Sequence, residues 1–303
     1  MEPLLRVLPV FAVILLGLAG KRLGLLPDSF QEPANRLAYY LAVPALIFLT
    51  VAAAPFREVF RPDWIAAALA ATALCWVAAL ALSRVLGLPP ASRATFAQAS
   101  IHSNLGYIGL AIAYYGLGDR GLQVAGVFAA FFMLLNNALS VVALSRYGRT
   151  APGAAALARR VVVQPVILAS LAGLAWSWFR LPLPGLAAET LRILGSMGLP
   201  LALLLIGAGL SLDTLRHPLP VGAAVVMKNL ALPALGALFL TLAGARGLER
   251  AAAVVLLGSP SATLTLVMAR EMGGDAGLGS AAVTASTLAS AATLTLCLAL
   301  AGA

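Results

Sequence analysis

The chain has 303 residues, 61% of them hydrophobic and only 10% charged, with a mean hydropathy of +0.97, against about 45–50% apolar and about 25% charged for soluble domains. This balance excludes a soluble enzyme and identifies an integral membrane protein, long enough for roughly ten helical spans of about 20 apolar residues each. The net charge of +9 comes from Lys and Arg scattered between apolar runs, which describes basic membrane loops and not a nucleic-acid-binding face.

The N-terminal stretch MEPLLRVLPVFAVILLGLAGKR has an acidic residue before its apolar run, and Lys21 and Arg22 follow without a convincing A-x-A-like cleavage site. It reads as a first span, not a removable signal. Apolar stretches bounded by charges and Pro/Gly turns then place spans near 4–20, 34–54, 64–86, 94–116, 121–145, 161–180, 188–212, 219–243, 250–270 and 276–300. Cys75 and Cys297 each lie inside an apolar run, as small buried hydrophobes outside any disulfide. The longest polar connection, RYGRTAPGAAALARR at 146–160, carries four arginines and divides the chain near its midpoint.

An internal repeat crosses that connection. At an offset of 156 residues, Pro9 falls on Pro165 and Pro44 on Pro200, while Gly17 and Leu18 fall on Gly173 and Leu174. In the same register Gly118, Asp119, Gly121 and Leu122 meet Gly274, Asp275, Gly277 and Leu278. Ala and Leu coincidences mean little in so biased a composition, but Pro, Gly and Asp matches at one offset indicate two related units. Five spans per unit is an odd number, so the second unit enters the membrane inverted, the architecture common among secondary transporters. The expected organisation is an all-α, ten-helix membrane protein with a first repeat at 1–147, a cytoplasmic linker at 148–160 and an inverted second repeat at 161–303.

With both termini outside, the inner loops hold eleven Lys and Arg against eight outside. The positive-inside rule therefore predicts extracytoplasmic termini and a cytoplasmic linker in the plasma (cytoplasmic) membrane.

Spans four and nine are the least like ordinary helices. Span four, ATFAQASIHSNLGYIGLAIAYYG, carries His102, Ser103, Asn104, Gly106 and Gly109 at mid-depth; its repeat partner GSPSATLTLVMAR carries Ser259, Pro260, Ser261 and Thr263. Asn104 aligns with Pro260. Non-helical backbone at membrane depth is tolerated only where protein or a water-filled cavity satisfies it, and breaks at equivalent positions of two halves point to a transport site. Freed N–H groups at the half-helix starts suit an anionic group, which favours a carboxylate. Alternatively, the small residues simply let helices pack closely.

These sequences resemble the auxin efflux carrier family, which contains the plant PIN auxin exporters and bacterial transporters labelled as malonate or malate carriers. The similarity runs through NRLAYYLAVPALIF at 35–48, NLGYIGLA at 104–111, GLPLALLLIGAGLSL at 198–212, the Lys228 to Pro233 spacing, SPSATLTLVMAREMGGD at 259–275 and VTASTLASAATLTL at 283–296. The resemblance implies a five-plus-five inverted repeat with crossed, broken helices four and nine, similar to sodium/proton antiporters and bile acid symporters, and a homodimer. It places Asn104 and Pro260 at the two crossovers and Val43 and Ile47, flanking Pro44, in the pocket wall. Ile47 stands where plant exporters carry Ser, and Ala111 where a proline is common. Both departures argue against auxin and for a smaller or differently shaped anion.

Lys228 is the only ionised side chain well inside a span. It could neutralise substrate or support a crossover, or it could be a packing lysine bonded to carbonyls or snorkelling outward. None of the eleven acids falls at a span centre, so the paired aspartates of a carboxylate-driven antiporter are missing. His102 is the titratable coupling candidate, with a hydrogen-bonded structural role as its alternative. Tyr107, Asn136, Asn137, Thr284, Ser286, Thr287 and Ser290 could add pocket polarity or bond between helices; the amide pair Asn136 and Asn137 needs the most partners. His217 is assigned no role.

No phosphate-cradling G-x-x-x-x-G-K-[ST] occurs, and the sequence has no nucleophile–base pair or metal-ligand spacing, so neither an enzyme nor a cofactor or metal is expected. The expected function is a secondary transporter moving a small organic anion by alternating access, as a uniporter driven by membrane potential. Spans three to five and eight to ten would form the crossover-bearing unit, with one, two, six and seven as a scaffold. Asn104, Ser103, Gly106, Tyr107 and Gly109 would face Pro260, Ser261 and Thr263 across the substrate. A ligand-sensing receptor or channel on a transporter fold is the competing reading.

Overall fold

The computed structural model describes residues 2–55, 59–148, 163–211 and 218–301. Most of the expected linker, 149–160, and His217 lie outside the described residues. Within them the chain is helical throughout, with a single isolated antiparallel bridge between Ser103 and Ser261 and no strand.

The helices are α1 (Glu2–Arg22), α2 (Asp28–Ala52), α3 (Pro62–Val85), α4 (Pro90–Ile101), α5 (Leu105–Tyr147), α6 (Pro165–Trp178), α7 (Gly185–Gly209), α8 (Pro218–Leu242), α9 (Gly247–Gly258), α10 (Leu264–Glu271) and α11 (Ala276–Ala301). Proline opens α3, α4, α6 and α8, where its missing N–H costs nothing and its fixed φ favours the first turn. Lys21 and Arg22 end α1, and Arg84 and Arg146 stand in the last turns of α3 and α5, where cations complement the helix dipole.

Seven described helices are long and apolar enough to cross a membrane: α1, α2, α3, α5, α7, α8 and α11. The chain is a multi-pass membrane protein. The ten stretches read from hydropathy do not appear as ten unbroken helices, for three reasons. Stretch 94–116 is interrupted between Ile101 and Leu105, and stretch 250–270 between Gly258 and Leu264. The second part of stretch 94–116 is continuous with stretch 121–145 in the 43-residue α5, where Gly118 at φ 72°, ψ −171° is non-helical. Stretch 161–180 appears as the short α6 of 14 residues.

Three segments widen into π-helix: Ala38–Ala42 in α2, Leu105–Gly109 at the start of α5 and Met227–Ala231 in α8. The first and third directly precede Val43-Pro44 and Leu232-Pro233. A proline ring clashes with the carbonyl one turn back and leaves it without a donor, and a wider turn relieves that conflict inside an otherwise apolar helix.

Contacts between glycines and backbone draw the helices together. A Cβ built on Gly17 of α1 would strike the Leu204 carbonyl of α7, and one on Gly207 of α7 would strike the Ile14 carbonyl of α1. On the other side, a Cβ on Gly173 of α6 would lie 3.1 Å from the Phe48 carbonyl of α2. Around these approaches Val10, Ile14, Ile47, Val51, Ile108, Phe128 and Phe132 form a continuous buried cluster. Leu5, Leu15, Leu16, Leu186, Leu219 and Leu242 are exposed instead, as lipid-facing side chains of spans should be.

Candidate functional site

The two interruptions meet. Residues 102–104 connect α4 to α5, residues 259–263 connect α9 to α10, and the segments run antiparallel through the Ser103–Ser261 bridge. The Asn104 N–H donates to the Pro260 carbonyl at 2.8 Å, and the Ala262 N–H donates to the His102 carbonyl at 2.8 Å. Pro260 has no N–H to return and the His102 N–H is spent on the Gln98 carbonyl at 2.8 Å, so the pairing consists of one bond on each side of the bridge. Buried backbone must find partners when helix is abandoned, and here each broken helix supplies them to the other.

Further bonds fix this crossing. Ser261 is saturated: its Oγ donates to the Ala99 carbonyl at 2.6 Å and its N–H donates to Ser286 Oγ at 3.0 Å. Asn229 Nδ2 donates to the Ser286 carbonyl at 2.9 Å, tying α8 and α11 to the same point. Lys228, with no accessible surface, donates from Nζ to the Leu257 carbonyl at 2.6 Å, and Ser103 Oγ donates to that carbonyl at 3.4 Å. Leu257 lies at the C-terminal end of α9, where unpaired carbonyls concentrate and where a lysine is the natural complement. Lys228 is thus bonded to backbone, as a lysine supporting the crossover and a packing lysine bonded to carbonyls would both be. The carbonyl of its neighbour Met227 accepts a weak contact from Cys75 Sγ at 3.9 Å; both cysteines are free and buried.

His102 Nδ1 lies 2.9 Å from Ser140 Oγ, and Ser140 Oγ donates its proton to the Asn136 carbonyl at 2.6 Å. A hydroxyl has one proton, so Ser140 accepts from His102, and Nδ1 is the protonated nitrogen. Asn136 Oδ1 is buried without a partner among the described residues.

The N–H groups of Gly106, Tyr107 and Ile108 precede the first bond of α5, from Gly109 N–H to the Asn104 carbonyl at 2.9 Å, and so belong to its unpaired first turn. Gly106 and Tyr107 are only half-buried and Thr263 is exposed, whereas Asn104 retains 6% exposure. A Cβ on Gly106 would lie 3.6 Å from Met133 Cε and 3.9 Å from Val43 Cγ1, which brings Val43 beside the crossover. Tyr107 OH donates to Asn35 Oδ1 of α2 at 3.3 Å.

Several expected site residues sit differently. Gly109 has its N–H committed to Asn104, and a Cβ there would lie 2.9 Å from Ser259 Oγ and 3.0 Å from Leu256 Cδ2; it serves close packing of α5 on α9. Ser261 has no donor left for a ligand. Ile47 is fully enclosed in the main core cluster. Thr284 Oγ1 accepts from the Ser211 N–H at 3.3 Å, and Ser290 Oγ donates to the Thr287 carbonyl at 2.7 Å, so these are helix-to-helix or local bonds. Sequence reading missed Asn35 and Gln164, the latter joined to Asn137 by bonds of 3.3 Å and 3.5 Å. Both stand near span ends, where a polar side chain carries no signal.

Interrupted helices whose polar backbone meets inside a bundle of apolar spans are the arrangement of a membrane transport protein. The sequence matches the family described as "Membrane transport protein" over residues 4–147 and 153–298; the chain belongs to this family, the auxin efflux carriers. It is 32% identical over 299 residues to a protein of Rhizobium meliloti (strain 1021) named "Putative malonate transporter", covering 95% of this chain and 92% of that one. It is 27% identical over 294 residues to an uncharacterized transporter of Methanothermobacter thermautotrophicus, covering 96% and 95%. A third relative, an uncharacterized transporter of Methanocaldococcus jannaschii, is 25% identical over 287 residues, covering 88% and 89%. The chain is a transporter and not an enzyme.

Proposed function

We propose that the protein is a secondary carrier for a small organic anion, a carboxylate, which it moves by alternating access as a uniporter. The observation that carries this reading is the crossing of the two interrupted helices at Ser103 and Ser261. Beside the crossing, Gly106 and Tyr107 in the first turn of α5 are half-buried, and their N–H groups would face the substrate next to Asn104. A carboxylate there would accept from backbone N–H groups at the positive end of a helix and from the Asn104 amide. Thr263, Val43 and the pair Asn136 and Asn137 would complete the pocket, while Pro260, Ser261, Ser103, Gly109 and Lys228 hold the crossover in shape. Ile47 backs the wall from the core.

The finer architecture belongs to the same proposal: ten spans, counting each broken pair as one, in two inverted five-span repeats at 1–147 and 161–303 joined by a cytoplasmic linker. Helix contacts support it. Gly17 against Leu204 and Gly173 against Phe48 are related by the 156-residue offset with the halves exchanged, as two repeats related by a two-fold axis would be. Both termini would face outward from the plasma membrane, and two copies would associate through the scaffold helices α1, α2, α6 and α7. The malonate named for the Rhizobium relative makes a small carboxylate the first substrate to try.

Among the described residues no Asp or Glu is buried, which leaves His102 as the coupling candidate and favours transport that follows membrane potential. That potential is worth about 2.3 kcal/mol per elementary charge at 100 mV. The test is uptake of radiolabelled malonate, malate and indole acetate into liposomes holding the purified protein, with potential and pH gradient set independently. Saturable uptake that tracks potential alone is expected. Dependence on the pH gradient would replace uniport with proton coupling through His102, and binding without flux would replace the carrier with a sensor.

A further inference from the structure

The C-terminal ends of α3 and α5 meet at one membrane face, and two arginines there share one tyrosine. Arg84, in the last turn of α3, donates from Nη2 to Tyr147 OH at 2.7 Å, and its Cζ lies 5.9 Å from the centre of the Tyr147 ring. Arg146, in the last turn of α5, has its Cζ 5.3 Å from the same ring centre. Tyr147 is seated with Trp76 and Leu80 of α3 against the buried cluster that holds Leu144 and Met272. Both cations therefore converge on a ring that packing fixes.

No carboxylate of the described residues neutralises them. The ion pairs there join Arg6 to Glu2, Lys21 to Asp28, Arg61 to Asp63 and Arg192 to Glu189, and none reaches Arg84 or Arg146. A contrast lies within α3 itself: at its start Arg61 also stands over an aromatic ring, 4.2 Å from the centre of Trp64, but it is paired with Asp63 at 2.7 Å. The carbonyl ends of α3 and α5 offset about half an elementary charge each, which leaves roughly one net positive charge on the arginine pair. Donors are also in surplus. A guanidinium carries five N–H groups; Arg84 commits one to Tyr147 and one weakly to the Leu80 carbonyl at 3.4 Å, and Arg146 makes no hydrogen bond among the described residues. The Tyr147 hydroxyl accepts from Arg84 and keeps its own proton to donate.

Two guanidiniums and a hydroxyl around one ring suit a phosphate, whose several oxygens accept charge-assisted bonds from more than one donor. The surroundings identify its source. Ala81 and Val77, three and seven residues before Arg84 and so on its helix face, are exposed, as is Val142, one turn before Arg146. Because α3 and α5 are both long and apolar enough to cross a membrane, these side chains face acyl chains directly beneath the charges. We propose that Arg84, Arg146 and Tyr147 bind the phosphate of an anionic phospholipid whose acyl chains lie along Val77 and Val142. The site depends only on the multi-pass fold and not on the carrier reading. The orientation proposed above places it at the cytoplasmic leaflet, whose surface is negative.

The test is lipid retention by the purified full-length protein in neutral detergent, read by native mass spectrometry and thermal melting, with phosphatidylglycerol, phosphatidylcholine and inorganic phosphate as probes. Wild type should retain phosphatidylglycerol and melt at a higher temperature with it, while phosphatidylcholine and phosphate do neither. Arg84→Gln combined with Arg146→Gln should weaken phosphatidylglycerol binding about 30-fold, the contribution of two cations at a membrane surface. Tyr147→Phe should weaken it about fivefold, the contribution of one hydrogen bond; it leaves the ring in place and decides the matter should the double variant not fold. Arg61→Gln combined with Arg192→Gln removes the same number of charges from positions that have acids, and should leave retention unchanged. Undiminished retention in the arginine double variant or in Tyr147→Phe, or an equal loss in the control pair, overturns the site. Stabilisation by inorganic phosphate equal to that by phosphatidylglycerol overturns the lipid as its occupant, and equal retention of phosphatidylcholine overturns the preference for an anionic head group.

Discussion

Replacing Asn104 with alanine separates the crossover's framework from its chemistry. The framework at this residue is all main chain: the N–H donates to the Pro260 carbonyl at 2.8 Å and the carbonyl accepts from Gly109 N–H at 2.9 Å. Alanine offers the same two groups, so the antiparallel pairing and the first turn of α5 should survive. What is lost is the side-chain amide, placed in the proposed site to donate to a carboxylate. A hydrogen bond to a charged group is worth about 1.5–3 kcal/mol, so affinity should fall about 10-fold to 150-fold. Proline at the same position would do the reverse damage, deleting the N–H and leaving the buried Pro260 carbonyl unpaired at a cost of about 1–3 kcal/mol. Asn104→Ala should therefore purify as a monodisperse protein with near wild-type thermal stability and a raised KM for carboxylate uptake, whereas Asn104→Pro should lower the melting temperature in detergent. Wild-type substrate affinity in Asn104→Ala would refute the placement of the site at this crossover.

Lys228→Met removes the donor 2.6 Å from the Leu257 carbonyl while preserving much of the volume; flux should be abolished with normal membrane insertion, and unaltered transport in the liposome assay would end a functional reading of this lysine. Gly109→Val would force a branched side chain toward Ser259 Oγ at 2.9 Å and Leu256 Cδ2 at 3.0 Å, an overpacking cost of about 1–3 kcal/mol, read as a lower melting temperature with reduced flux. Gly118→Ala tests backbone alone, since nothing lies within 4 Å of a Cβ there. Its φ of 72° with ψ of −171° is a region nearly reserved to glycine and costs other residues about 1–3 kcal/mol. A thermal melt indistinguishable from wild type would show that the turn relaxes to another conformation.

The membrane class, the family and the places where helices fail were legible along the chain, because each is a lengthwise signal. A His-Ser-Asn-x-Gly cluster and a Ser-Pro-Ser cluster interrupt apolar runs, and the fixed 156-residue offset links them. Lys228 was legible as an anomaly for the same reason. Its partner was not: the Leu257 carbonyl is identified only when α8 packs on the end of α9. Gly109 and Ser261 look like site residues in sequence, yet one closes its own turn and the other is saturated by Ala99 and Ser286. Gln164 looks like an ordinary polar residue at a span boundary, and only the approach of α5 gives it Asn137.

Composition and periodicity by themselves determined that this chain lives in a bilayer and where its backbone must leave the helix, since hydrophobicity and the loss of intrahelical bonds are properties of consecutive residues. Tertiary structure decided which buried polar groups are spent on neighbours and which are not. A hydroxyl or amide has the same donors in every sequence context, and only the neighbours brought to it by packing consume them.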